Sequence, residues 1–221
     1  MALSHSHTRV PVANSIPGPG TYMCGLTWDG VLLWHSDQDA GKIFGLEPST
    51  GAVARTVACA QARADLAYHS GMLWQIGGRP KRLLLIDPLI GREIGQRPVR
   101  PPSGRVCGVE AGPEGMWMCL RGPSVVQLRD YDTMTVQREF PVDGHPSGLT
   151  YVDGVIVFSE FEAGMVRTVD ADTGEMLGAV PVEGHPTGLT WDGQLVWYCD
   201  FEARRIKALR PSDLPLERRP R

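Results

Sequence analysis

The sequence predicts an all-β protein, a five-bladed β-propeller in which each blade is a four-stranded antiparallel sheet. One observation behind this is a phrase that returns along the chain. Gly25-Leu26-Thr27-Trp28-Asp29-Gly30-Val31-Leu32-Leu33-Trp34 reappears as Gly188-Leu189-Thr190-Trp191-Asp192-Gly193-Gln194-Leu195-Val196-Trp197 and, shortened, as Gly148-Leu149-Thr150-Tyr151-Val152-Asp153-Gly154. Weaker copies begin at Asp65-Leu66-Ala67-Tyr68 and Gly108-Val109-Glu110-Ala111. A second observation is the spacing. Anchored on the first apolar residue, the copies start at Leu26, Leu66, Val109, Leu149 and Leu189, in steps of 40, 43, 40 and 40. A period in this range, with several short strands per unit, marks a propeller blade. The third is composition: 26 Gly and 18 Pro in 221 residues suit short strands broken by many turns.

Each unit divides into strands a to d, lettered from the channel outwards. Strand a is the Gly-Leu-Thr-Trp stretch, and the Asp-Gly that follows favours a tight hairpin turn. Strand b carries the Leu-Trp pair. Strand c is expected at 42–46, 82–86, 125–129, 166–169 and 205–209. Turns such as Glu47-Pro48-Ser49-Thr50-Gly51 and Asp170-Ala171-Asp172-Thr173-Gly174 then lead into strand d at 52–57, 93–99, 135–142 and 175–182. The fifth unit lacks a good strand d, because Pro211-Ser212-Asp213-Leu214-Pro215 is too rich in proline. Thr8-Arg9-Val10-Pro11-Val12 resembles the ends of two other d strands and is expected to fill the gap. Both chain ends then share the last blade and no long sheet edge stays open. Trp34, Trp74, Trp117 and Trp197, with Val157 in the fourth unit, share a slot eight residues after the anchor, which predicts packing between neighbouring blades. Trp28, Tyr68, Tyr151 and Trp191 share another slot with the same expectation.

A closed array of similar units has no natural place to divide, so one domain over 1–221 is expected, with 1–7 as a leader and 211–221 as a tail. The net charge of -3 offers no basic face for nucleic acid, and the Arg clusters at 97–105 and 203–221 read as solvated edges. No apolar run is long enough to span a membrane and the first 20 residues lack a secretory core, so a cytoplasmic address is expected. Cys24, Cys59, Cys107, Cys119 and Cys199 are odd in number, lack CxxC spacing and sit in apolar strands, which predicts reduced, buried thiols.

The repeat also places chemistry. The loop leading into strand a and the loop from b to c meet at one end of the ring. Four residues before the anchor stand Tyr22, Ala62, Arg105, His145 and His185; eleven after it stand Asp37, Gly77, Leu120, Glu160 and Asp200. His145 with Glu160, His185 with Asp200, and Tyr22 with Asp37 are therefore candidate pairs at the channel mouth. Residues on either side of the anchor point into the channel, where Asp65 and Glu110 interrupt rings of glycine and of small or hydroxylic residues. Two imidazoles with carboxylates around one opening suit either a divalent ion or a general base and acid. His185, His145, Glu110 and Tyr22 are the catalytic candidates, and Glu160, Asp200 and Asp37 the metal-ligating ones. Arg105 and Arg121, with Asp65, are candidates for holding substrate, the guanidinium groups by pairing a carboxylate. Asp39, Glu162 and Glu202 are expected to face solvent, His69 to lie at the opposite end, and His5 and His7 in the leader; the direction of His35 is left open. Glycine-rich phosphate loops, GxSxG and HExxH are absent.

His185-Pro186-Thr187-Gly188-Leu189-Thr190-Trp191-Asp192-Gly193 and its continuation to Asp200 resemble the repeats of streptogramin (virginiamycin B) lyase and related gluconolactonase-like propellers. That resemblance implies magnesium-dependent elimination that opens a cyclic ester, with His185 as base and Asp200 and Glu160 at the metal. Gly25 to Gly30 followed by Leu33-Trp34-His35-Ser36-Asp37 is also similar to plant-type glutaminyl cyclase, which implies a five-bladed propeller and acyl transfer. The expectation is a small-molecule enzyme, a metal-assisted lyase or lactonase with a histidine base. A noncatalytic propeller that binds a small ligand or a protein is the alternative.

Overall fold

The computed structural model describes residues 9–99 and 104–218. Five four-stranded antiparallel sheets stand around a central channel, and their a strands touch in ring order. The a strands are Met23–Trp28, Ala62–His69, Arg105–Ala111, Pro146–Val152 and Pro186–Trp191. Strands b are Leu33–Asp37, Met72–Gly77, Met116–Arg121, Val155–Glu160 and Val196–Asp200. Strands c are Lys42–Leu46, Arg82–Asp87, Val125–Arg129, Met165–Asp170 and Arg205–Leu209, within a residue of expectation at each end. Strands d of the first four blades are Val53–Ala58, Arg92–Pro98, Val136–Pro141 and Met176–Pro181.

The N-terminus closes the fifth blade, but with a later segment than expected. Asn14–Pro17 pairs antiparallel with Arg205–Leu209, matching Asn14 to Ala208 and Pro17 to Arg205. Pro11 has no N–H to give a ladder. The chain before it instead crosses towards blade four, where the Val10 N–H donates to Pro181 O at 2.9 Å and the Val10 side chain is buried. Thr8, the leader at 1–7 and with it His5 and His7 lie outside the described residues. Pro211–Asp213 forms a short 3-10 turn, and the tail beyond it packs on blade four rather than standing free. Pro215 O accepts from Thr168 Oγ1 at 2.6 Å, and Arg218 pairs with Asp170 at 2.6 Å and with Asp172.

The core consists of five apolar clusters among the described residues, one at each junction of neighbouring blades. Trp34, Trp74, Trp117, Val157 and Trp197 are all buried, each in the cluster shared with the next blade. The second aromatic slot is half-buried, with Trp28, Tyr68, Tyr151 and Trp191 packed against cluster edges. All five cysteines are buried and free. No helix among the described residues is long and apolar enough to cross a membrane.

At the channel's waist the a strands come as close as backbones can. A Cβ on Gly188 would lie 2.6 Å from Gly25 Cα, and one on Gly148 would lie 2.7 Å from Gly188 Cα. The odd member of this glycine ring, Asp65, is fully buried and binds across the ring. Its Oδ1 accepts from the N–H groups of Leu26 and Leu66, each at 3.1 Å, and its Oδ2 from those of Val109 and Leu149, each at 3.3 Å. Four blades are thus tied through their anchor residues to one carboxylate. Asp65 was expected to hold substrate; its oxygens are instead taken by backbone. Below the waist, Glu110 Oε2 accepts from Thr150 Oγ1 at 3.1 Å and Thr190 Oγ1 at 3.3 Å, and Oε1 from the Ala111 N–H at 2.9 Å.

Candidate functional site

The carboxylates expected to ligate a metal pin loops. Asp37 Oδ2 accepts from the N–H groups of Thr21 and Tyr22, both at 2.7 Å, and its Oδ1 from Ala40 N–H at 2.7 Å. Glu160 Oε1 accepts from His145 N–H at 3.2 Å while Oε2 pairs with Arg167 Nε at 2.7 Å. Asp200 Oδ1 accepts from His185 N–H at 3.3 Å, and Lys207 Nζ stands 2.5 Å from Oδ2. Burial works to raise the Asp200 pKa, but the Lys207 ammonium and the backbone donors outweigh it and hold it below the usual range. The glycines facing these carboxylates keep that approach open. Gly20, Gly144 and Gly184 lie at φ +93, +84 and +77, and a Cβ on any of them would strike the carboxylate. The pairing of slots −4 and +11 is therefore real, but it is made to the backbone N–H of the loop residue and not to its side chain.

This set does not fit a shared divalent ion. Its oxygens are engaged by N–H donors, two of the three carboxylates are already neutralised by a cation, and no metal-holding group of three or more His, Cys, Asp or Glu occurs among the described residues. His145 is exposed and its ring makes no hydrogen bond among the described residues. His185 is half-buried, with Nδ1 2.9 Å from Phe161 O and Nε2 3.6 Å from Glu202. His35 is fully buried, Nε2 2.7 Å from Pro19 O, and burial lowers its pKa. His69 stacks on Tyr131 with centroids 3.8 Å apart, on the side of the ring away from the mouth as expected.

The mouth itself is a cavity of about 590 Å³, well within the range of small-molecule sites. A register shift in every a strand builds its floor, lying between Met23 and Gly25, Ala62 and Leu66, Val106 and Gly108, Pro146 and Leu149, and Pro186 and Leu189. Such bulges re-aim side chains. Here they turn the residues two before the anchor, Cys24, Ala64, Cys107, Ser147 and Thr187, onto the cavity floor. The walls come from the residues twelve after the anchor, Gln38, Gly78, Arg121, Phe161 and Phe201. Side chains alternate along a strand end, so when position +11 turns to the lead-in loop, +12 turns to the opening.

The walls are polarised. Blades two and three supply Arg63, Arg79, Lys81, Arg105 and Arg121, against one lining carboxylate, Glu162. Blades four, five and one supply Phe161, Phe201 and Tyr22, with Tyr22–Phe201 centroids at 4.9 Å and Phe161–Phe201 at 5.6 Å, both edge to face. None of the five cations has a carboxylate within ion-pair distance among the described residues. Backbone carbonyls position three of them: Lys81 Nζ donates to Val106 O at 2.6 Å, Arg121 Nε to Pro146 O at 2.6 Å and Arg63 Nη1 to Ala62 O at 2.6 Å. Burial, and then the positive charge of Arg105, lowers the Lys81 pKa. Burial pushes the Cys24 thiol up to about 12, so it stays protonated on the floor.

Of the expected site residues, Tyr22, Arg105 and Arg121 line this cavity; His145, His185, Glu110, Asp65, Glu160, Asp200 and Asp37 do not. Glu162, expected to face solvent, is exposed and also lines the cavity. Arg63, Arg79, Lys81, Phe161 and Phe201 were missed. The available signal was the b-to-c loop of the second unit, where Arg79 stands in a slot that holds Asp39, Gly122, Glu162 and Glu202 in the others, and Lys81 in one that holds Gly41, Ser124, Gly164 and Arg204.

No protein-family model and no curated protein matches the chain. Among solved structures it is similar to Myxococcus xanthus glutaminyl cyclase, at 14% identity and a TM-score of 0.77, over 92% of this chain and 98% of that one. It is similar to streptogramin B lyase at 16% identity and a TM-score of 0.54, over 93% of this chain and 68% of that one. A structure of a nidogen/laminin complex matches at 14% identity and a TM-score of 0.63, over 88% of this chain and 78% of the other. At such identities the likeness is one of fold, and one fold hosts many functions. The chain is a five-bladed β-propeller whose structural neighbours include enzyme propellers, a glutaminyl cyclase and a streptogramin lyase among them.

Proposed function

We propose that the protein binds a small anionic molecule with an apolar or aromatic body at the channel mouth. The carrying observation is the charge of the cavity: five cations without carboxylate partners among the described residues face one carboxylate. The guanidinium groups of Arg63 and Arg121 are half-buried and those of Arg79 and Arg105 exposed. The half-buried pair loses solvation and recovers it best from a planar anion, which accepts paired N–H donors. The aromatic wall on the other side offers the ligand's body a desolvated surface. Of the two classes the sequence leaves open, ligand binding has the stronger support. The histidine-based lyase reading would need His185 or His145 beside the substrate, and neither lines the cavity.

Calorimetric titration with inorganic phosphate and phenyl phosphate tests the reading. Phenyl phosphate is expected to bind the more tightly, with affinity falling as salt rises. The Arg63→Ala, Arg105→Ala double variant is expected to weaken both probes at least about tenfold, which is about 1.4 kcal/mol. Phe201→Ala is expected to erase the preference for the phenyl compound. Affinities that ignore the arginine substitutions would overturn the reading.

A further inference from the structure

Arginine supplies nearly all of this chain's positive charge: of 22 basic residues, only those at 42, 81 and 207 are lysines. Two of the three have plain surroundings. Lys42 is exposed at the start of its strand, and Lys207 is buried between Glu183 at 2.9 Å and Asp200 at 2.5 Å. Lys81 differs from both. It lines the cavity, is half-buried, lacks a carboxylate partner among the described residues, and is the one amine among the four guanidinium groups of the lining. Resting on the anion-binding reading, we propose that Lys81 is a nucleophile, which condenses with a small aldehyde or ketone bearing a carboxylate or phosphate group.

Guanidinium groups stay protonated and are not nucleophiles under these conditions, whereas a lysine next to other cations can lose its proton and attack. Burial and the Arg105 charge both favour the neutral amine here. Val106 O, 2.6 Å away, accepts one N–H and leaves the nitrogen lone pair free to point elsewhere. With the anionic group held by the arginines, the lone pair forms a C–N bond to the carbonyl carbon, and the carbonyl oxygen takes up a proton. The nitrogen loses one proton, giving the carbinolamine. Its hydroxyl group then takes up a second proton and leaves as water as the C=N bond forms, and the nitrogen releases its remaining proton to solvent, giving the imine. No oxidant, reductant or further reactant enters.

Pyridoxal 5′-phosphate is a suitable probe, since it carries an aldehyde, an aromatic ring and a phosphate. After brief exposure to substoichiometric probe, borohydride reduction and peptide mass spectrometry, the adduct at Lys81 is expected to exceed that at Lys42 at least tenfold. Pyridoxal, which lacks the phosphate, is expected to label Lys81 at least fivefold less. Inorganic phosphate is expected to compete, and Arg105→Ala to reduce labelling. Lys81→Arg should abolish the adduct at this position. Equal labelling of Lys42 and Lys81, or equal labelling of Lys81 by the two aldehydes, would overturn the proposal. If phosphate binds but no preferred adduct forms, the imine fails and the anion site stands; if phosphate also fails to bind, both fall.

Discussion

Asp65→Ala is expected to unfold the propeller or to lower its stability by about 4 kcal/mol or more. Four N–H groups, from Leu26, Leu66, Val109 and Leu149, converge on this one carboxylate. Alanine leaves all four without an acceptor at the narrowest part of the channel, where each unmade buried hydrogen bond costs about 1–3 kcal/mol. That total is comparable with the whole stability of a domain, about 5–15 kcal/mol. Burial raises the Asp65 pKa well above the carboxylate range, the N–H donors oppose it, and the nearby Glu110 charge raises it further. A carboxyl proton would have no acceptor among four donors, so the geometry favours the ionised form against the opposing pull of burial. Asp65→Asn is therefore no safe substitute, because its amide N–H₂ would face two of the N–H groups head on. Urea denaturation followed by tryptophan fluorescence is the measurement. A midpoint for Asp65→Ala close to that of the parent protein would show that the four-way junction is not a keystone of the ring.

The same residue shows how far the sequence could be read. Its slot, one before the anchor and facing the channel, followed from the repeat and from strand alternation, as did the burial of Trp34, Trp117 and Trp197 and the closing of the last blade by the N-terminus. What the slot contained was visible; what it bound was not, since backbone N–H groups are present at every residue and leave no mark in a sequence. The mouth was misread for a related reason. The meeting of two loops at one end of the ring placed +11 at the opening, and alternation was applied only to the residues beside the anchor, but the bulge in each a strand turns −2 inwards and the loop N–H groups draw the +11 carboxylates aside. Arg105 was found because it broke the repeat in an already suspect slot, and Arg121 because it falls just past strand b of the same blade. Lys81 broke it as well, in a loop position that alternation had not singled out. In a propeller with a bulged inner strand, departures from the repeat in the b-to-c loop are better guides to the cavity than the positions of histidine and carboxylate.

Glu110→Gln is expected to flatten the dependence of stability on pH. Glu110 lies below the waist of the channel, where burial pushes its pKa up to about 8 against the lowering effect of Ala111 N–H and of the Thr150 and Thr190 hydroxyls. In the unfolded chain it returns to an ordinary value of about 4.3. Between those two values the folded state holds a proton that the unfolded state has released. Stability from this group is therefore fully present below about pH 4 and declines as pH rises, until the folded group also ionises near 8. The slope is about 1.4 kcal/mol per pH unit, so the loss from pH 5 to pH 8 approaches about 4 kcal/mol. Glutamine cannot release that proton, and its oxygen can accept from the Ala111 N–H while its amide N–H₂ donates to the Thr150 and Thr190 hydroxyl oxygens. It should consequently be more stable than the parent at pH 8 and lose that advantage by pH 5. Removing the Glu110 charge also relieves Asp65, whose pKa that charge raises, and this adds in the same direction. Urea midpoints for both proteins at pH 5, 6.5, 8 and 9 isolate the effect, because titrations common to the two cancel in the difference. Two curves that run parallel across this range would mean that Glu110 is ionised throughout, and that the threonine hydroxyls and the Ala111 N–H solvate it as well as water does.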